Sequence, residues 1–239
     1  GAIRGIDMRG QFQKVEAEIH AAAFRSHIVR RASVKARVVP RHVAVDLRVD
    51  ALLHRDELGA RRRQIPADFF RHYLYVPSGA TTMHRHFGEL AGTLKQHAGD
   101  GLIVDIGCND GLLLKACNDI GCTTLGIDPA ANLAELANAQ GVDVHVAYFD
   151  PPTATALRND RGAAKVIVTT NTFNHIGDLH YFMVGVVDLL DEDGMFVVEV
   201  PWAKELLARN EFDTVYQEHV SEFSLLSMVR LGEAFGLEV

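Results

Sequence analysis

Leu102-Ile103-Val104-Asp105-Ile106-Gly107-Cys108-Asn109-Asp110-Gly111 is the stretch that decides the fold. Apolar residues of buried-strand character run into a turn with two glycines and two acids, and DGLLLKACNDIG continues it as a helix closed by Gly121. At a strand-to-helix turn, glycine supplies unusual φ values and lets the backbone approach a ligand closely. The helix behind it presents free N–H groups at its N-terminus.

Outward from that turn the pattern repeats. TTLGID (123–128) reads as a second strand, NLAELANAQG (132–141) as a helix closed by Gly141, VDVHVAYF (142–149) as a third strand, AKVIVTT (164–170) as a fourth and GMFVVEV (194–200) as a fifth, with Gly194 as the turn before it. Strands alternating with helices at this spacing imply βαβ units and a parallel sheet covered on both faces. Upstream, HFGELAGTLKQHAGDG reads as a helix ended by the Gly99-Asp100-Gly101 turn, and IPADFFRHYLYVPSG (65–79) is rich in aromatics. Three parts result: an N-terminal region 1–64, small and irregular; an aromatic segment and helix, 65–98; and a ligand-binding α/β domain, 99–239. Within the first part, residues 11–31 place apolar side chains at helical spacing, and the alternation after Pro40 suggests a short strand.

The turn also chooses its ligand. A dinucleotide fingerprint needs GxGxxG, whose second glycine makes room for pyrophosphate, and here Asn109 stands at that position. Asp105 and Asp110 would repel pyrophosphate but suit the sulfonium and ammonium charges of S-adenosylmethionine (SAM). Asp128, 17 residues after Gly111, sits at the tip of the second strand, where an acid can accept both ribose hydroxyls of an adenosine. It is equally placed to cap the following helix. Phe149, at the end of the third strand, either covers the adenine or belongs to the core. The expected cofactor is SAM, held by Asp105, Gly107, Cys108, Asn109, Gly111, Asp128, Phe149 and Asn171, in a Rossmann-like α/β fold of the class I methyltransferase kind.

Bulk properties exclude other classes. The 239 residues are 48% hydrophobic and 23% charged, as in an ordinary globular chain, and no apolar run approaches the ~18–20 residues of a membrane helix. The start lacks a secretory layout, and three cysteines (Cys108, Cys117, Cys122) without a CxxC pair suit a reducing, cytoplasmic home. Net charge is −7, divided as +7 up to Arg63 and −14 beyond it. The basic half has scattered arginines and only Phe12 and Phe24 as aromatics, so no nucleic-acid partner is expected.

YLYVPSGAT and HFGELA, DIGCNDGLLL, GIDP, NTFNHIGDL, VVEVPW and FDTVYQEHVSEFSLLSM together resemble the SAM-dependent sugar C-methyltransferases, which act on nucleotide-linked keto-deoxysugars. The last segment is close to the family pattern FDTIYHEHLSYFSL. Three departures matter. The family's N-terminal zinc region relies on cysteines, none precedes Cys108 here, and His20, His27, His42 and His54 lack ligand spacing, so no metal is expected. The family's C-terminal domain, which helps to hold the nucleotide sugar, is absent from the sequence, as in a fragment or truncated member. Gln217 stands where histidine is usual, and Glu222 where tyrosine is usual.

The implied reaction methylates a carbon beside a keto group. It needs a base for the α-proton, stabilisation of the enolate oxygen and an in-line methyl donor. Tyr216, Glu218 and His219 cluster after the fifth strand, at the sheet end where α/β proteins bind ligands. His219 is the natural base, since histidine titrates near neutrality, although a histidine in such a place is also commonly structural. Glu218 orients a ring nitrogen or holds a sugar hydroxyl. His175 and Asn171 contact substrate or the developing oxyanion. Tyr75 closes the pocket from the N-terminal side, a role Tyr73 fills equally well. The alternatives are an O- or N-methyltransferase acting on another small molecule, and a SAM-binding remnant without activity.

Overall fold

The computed structural model of the protein describes residues 34–38, 68–211 and 215–239. The predicted helix in 11–31, the strand after Pro40 and the four N-terminal histidines lie outside the described residues. Among the described residues, seven strands form one sheet: β1 (Val34–Val38), β2 (Leu102–Ile106), β3 (Thr123–Asp128), β4 (Val144–Val146), β5 (Ala164–Thr170), β6 (Leu190–Glu199) and β7 (Leu237–Glu238), in the order β4-β3-β2-β5-β6-β1-β7. The pairs from β4 through β6 are parallel, whereas β1 is antiparallel to both β6 and β7. The helices are α1 (Thr81–Ala98), α2 (Leu112–Asp119), α3 (Ala131–Ala139), α4 (Pro151–Arg161), α5 (Leu179–Leu189), α6 (Ala203–Arg209) and α7 (Leu225–Ala234).

Alternation along the central strands sorts the core into two layers. Ile103, Val166, Val168 and Val197 face α1 and α2, packing on Met83, Phe87, Ala91, Leu94 and Leu113. Their strand neighbours Val104, Ile167, Phe196 and Val198 face the opposite layer with Leu157, Phe182, Met183, Val186 and Met228. In α1 the buried positions 83, 87, 91, 94 and 98 form one stripe at helical spacing, which sets the helix along the sheet.

The chain runs outward from β2 to β3 and β4, then returns to place β5 on the other flank of β2. The β2–β5 seam is therefore the point where strand order reverses, and the loops leaving those two strands border a crevice at their carboxyl ends. Both predicted site segments, Gly107–Gly111 and Asn171–His175, are those loops.

The structure revises three details. The third predicted strand shrinks to Val144–Val146, because it lies at the sheet edge, and the chain then turns so that Asp150 caps α4 through the Thr153 N–H at 2.8 Å. Gly194 is not a turn before β6 but lies inside it. Strand β6 starts at Leu190, and the register slip between Ala164 and Val166 absorbs Asp191–Gly194 as a bulge. The sheet also draws one strand, β1, from the N-terminal region, where the sequence pattern offered a strand only after Pro40. Among the described residues, no helix is long and apolar enough to cross a membrane, and no three His, Cys, Asp or Glu side chains gather in a metal-binding arrangement.

Candidate active site

The loop after β2 is held from below and above. Its Gly107 and Cys108 N–H groups donate to the Ile127 carbonyl at the tip of β3, at 2.7 and 3.3 Å. Gly107, Asn109 and Gly111 have φ of 78°, 52° and 78°, the left-handed region. At Gly107 a Cβ would lie 2.2 Å from the Thr172 hydroxyl, so the β5 loop presses directly onto the β2 loop. Only glycine satisfies both conditions at 107. Asn109 tolerates its φ better than most residues, and its side-chain oxygen accepts from the Asp110 N–H at 2.7 Å.

Three carboxylates converge here. Asp105 is 2% exposed, and its Oδ1 has no hydrogen-bond partner among the described residues. Burial, and then the charge of Asp128, raise its pKa to about 8. Asp128 accepts from the Asn109 and Ala130 N–H groups, each at 2.9 Å; burial still raises its pKa, outweighing those two bonds. A buried pair of acids that cannot both ionise cheaply is a site prepared for a cation. Asp110, also buried, accepts from the Ser78 N–H at 3.2 Å and so ties the aromatic segment to the loop.

Cys108 takes part in the turn through its backbone alone. Its thiol turns into the core, against the space a Cβ at Gly126 would take, and burial pushes its pKa well up. Only its backbone belongs to the turn facing the crevice. Phe149 is half-buried; its ring meets Phe182 edge-on at 5.1 Å and lies against Gly185. Asn171 takes a left-handed φ of 54°, and its N–H donates to the Glu199 carbonyl at 2.7 Å.

The second half of the site is assembled from distant segments. Phe173, fully buried, anchors the turn after Thr172 among Phe182, Phe196 and Phe223. The following Asn174 carbonyl accepts from the Val220 and Ser221 N–H groups at 2.9 and 3.2 Å, which brings the YQEH segment to β5. The His175 and His219 rings lie 5.1 Å apart, Tyr216 is 4.1 Å from His219, and Phe70 stacks on His175 at 5.6 Å. The Tyr73 hydroxyl donates to Glu218 at 2.9 Å, and Asn132 on α3 brackets the Tyr73 backbone at 3.2 and 2.6 Å. Of the two tyrosines offered by YLY, Tyr73 makes that bond; Tyr75 is half-buried nearby in the chain.

Sequence reasoning missed a carboxylate–imidazole pair, His86 and Glu199, 2.7 Å apart, with the Glu199 side chain 8% exposed. A glutamate inside the otherwise apolar FVVEV run was the available signal. It also missed Asn132, whose role depends wholly on tertiary contact.

The geometry fits a sulfonium nucleoside donor: a glycine turn pressed close to the loop after β5, a carboxylate at the β3 tip, and between them a buried carboxylate whose Oδ1 has no partner among the described residues. Comparisons with known proteins agree. Residues 82–239 match the model of the family described as "Methyltransferase domain". The C-methyltransferase NovU of Streptomyces niveus is 40% identical over 177 residues, 73% of this chain and 42% of that protein. A ubiquinone biosynthesis O-methyltransferase of Bartonella tribocorum is 27% identical over 97 residues, 40% of this chain and 39% of that protein. The chain thus spans less than half the length of either relative. Among solved structures, a SAM-dependent methyltransferase from Archaeoglobus fulgidus superposes with a TM-score of 0.55 at 16% identity, over 64% of this chain and 67% of that one. The YcgJ protein of Bacillus subtilis gives 0.51 at 18% identity, over 64% and 68%. The chain belongs to the methyltransferase-domain family and has a Rossmann-like fold.

Proposed function

We propose that the protein methylates a carbon next to the keto group of a nucleotide-linked deoxysugar. The observation that carries this reading is the imidazole cluster His175–His219, packed with Tyr216 and joined to the cofactor loop through the Thr172–Gly107 contact. A carbon acid needs a base beside the methyl donor, whereas transfer to an already nucleophilic oxygen or nitrogen places less demand on one. The 40% identity to a C-methyltransferase supports the same choice.

Bound SAM supplies an electrophilic methyl group. The chain's part is positioning and proton handling. Asp128 would accept hydrogen bonds from the ribose hydroxyls, the Gly107–Gly111 turn with Asn109 and Asn171 would hold the nucleoside and methionine parts, and Phe149 would cover the adenine. Asp105 would balance the donor's positive charge as its carboxylate. His219 takes the α-proton; His175 and Tyr216 face the developing enolate oxygen. Glu218, oriented by Tyr73, holds a sugar hydroxyl, and Tyr75 closes the aromatic side. The cofactor half fits the O- and N-methyl reading equally, and the histidine cluster is what favours the carbon reading.

The test is incubation of the protein with SAM and a panel of nucleotide-linked keto-deoxysugars in deuterated water. Solvent deuterium should enter the α-position and a methyl group should follow, both lost in His219→Ala. Methylation of an oxygen or nitrogen acceptor that survives this substitution would overturn the reading.

A further inference from the structure

The loop bearing His219 carries a second ionisable group that the reaction as described does not use. Glu222 lies three residues on, with its Oε1 3.6 Å from Nδ1 of His219; their side chains are 23% and 8% exposed. Both Glu222 carboxylate oxygens and His219 Nδ1 are shielded from solvent and make no hydrogen bond among the described residues. At 3.6 Å the two groups form an ion pair only when the imidazole is protonated, and are too far apart for a hydrogen bond.

The pairing is built into the backbone. On one side, the Val220 and Ser221 N–H groups are fixed to the Asn174 carbonyl. On the other, Phe223 is 6% exposed, bridges to Trp202 and accepts from the Ala203 N–H at 2.9 Å. Glu222 sits between these anchors, so its carboxylate has little freedom to seek another partner. The groups facing His219 are the Tyr216 ring, the His175 ring and this carboxylate, while Glu218 is engaged by Tyr73.

We propose that Glu222 is the positioning residue of the base: it holds the His219 proton on Nδ1, leaves Nε2 free to receive the substrate proton, and balances the imidazolium that results. The inference rests on the proposed carbon-acid reaction. In that step the C–H bond breaks and its proton passes to Nε2; the carbon keeps the electron pair, which forms the bond to the methyl group as the methyl group's bond to the donor's sulfur breaks with its pair left on sulfur, and Nδ1–H closes on Oε1. A carboxylate shielded from water without a donor is poorly stabilised, and formation of the imidazolium supplies what it lacks. Long separations of this kind in a ligand-free site tighten when the reacting complex forms. The family pattern that this segment resembles has tyrosine at position 222, so the dyad is a property of this chain.

The experiment reads the pair with and without catalysis. Nitrogen-15 spectra of the imidazoles, assigned with His219→Asn, should show His219 with its hydrogen on Nδ1 in the unsubstituted protein. Glu222→Leu should abolish that preference, and Glu222→Tyr serves if the leucine variant does not fold. Alpha-proton exchange on an accepted sugar should fall ~10–100-fold in Glu222→Gln with the KM for SAM unchanged, the signature of an interaction made in the transition state. An identical His219 tautomer in all variants, or unchanged exchange in Glu222→Gln, overturns the proposal. If no sugar is turned over at all, the carbon-acid reading fails, and the nitrogen spectra alone still decide whether the pair exists.

Discussion

The two halves of the site are made in opposite ways. The proposed cofactor half is a continuous turn between two strands, with Asp128 fixed by two backbone N–H groups and the glycines by a conformation few other residues adopt. The acceptor half is gathered from residues 70–73, 132, 173–175 and 216–222, and its groups meet ring to ring or side chain to side chain. A ligand common to many proteins is served by the part of the fold that cannot change without breaking the sheet. A particular acceptor is served by loops that vary around it.

The sharpest way to divide the halves is to remove the proposed base. His219→Ala should lower α-proton exchange and methylation ~10²–10⁴-fold, the usual worth of general base catalysis, while SAM binding by calorimetry stays within about twofold. Loss of SAM binding in that variant would show that the two halves are not separable. The reverse test is Gly107→Ala. The new Cβ combines a φ of 78° with a 2.2 Å approach to the Thr172 hydroxyl, so the turn must deform. Denaturant unfolding should show a loss of about 3 kcal/mol, from left-handed strain and overpacking together. Affinity for SAM should fall ~100-fold, with no selective effect on sugar binding.

The same division explains what the sequence made legible. Five strands, the glycine turn and Asp128 could be read because each is encoded by neighbours within a dozen residues: a buried run, two glycines, an acid after GI. His175, Tyr216, Glu218 and His219 were reached through motif resemblance, not periodicity, and local sequence contains nothing that says Tyr73 meets Glu218 or Asn132 brackets Tyr73. Cys108 was placed with the loop because its neighbours line it; strand alternation carried past Ile106 into an irregular turn says nothing of where its thiol points. Strand β1 escaped notice because its partners, β6 and β7, lie over 150 residues away.

Asp105 offers a pH test confined to the cofactor half. Its carboxyl, raised from 3.8 to about 8, stays protonated in the native state when the unfolded chain has released its proton. Its contribution to stability is therefore complete below the unfolded value and is lost as pH climbs through the folded one, with a slope of at most about 1.4 kcal/mol per pH unit. Asp105→Asn should flatten that alkaline decline in urea unfolding between pH 5 and 8.5, conditions chosen on either side of ~pH 7 to bracket most of the window. SAM reverses the preference by favouring the carboxylate, so its binding should release a proton in this window, visible as a calorimetric enthalpy that varies with buffer. The histidine cluster has no part in this, so His219→Ala should leave the proton release intact.

Tyr73→Phe probes the seam where the acceptor half borrows from α3. It removes one hydroxyl donor to a glutamate while Asn132 continues to hold the backbone, so the loss is confined to the orientation of Glu218. A hydrogen bond to a charged group is worth about 1.5 kcal/mol, hence ~10-fold in kcat/KM for the sugar, entering through KM if Glu218 grips a hydroxyl in ground and transition states alike. An equal effect on kcat alone would instead assign Glu218 to the reacting atoms, next to His219. Tyr75→Phe is the internal control. If it costs more than Tyr73→Phe, the second tyrosine of YLY closes the pocket, and the aromatic segment contributes to catalysis through a group other than the one bonded to Glu218.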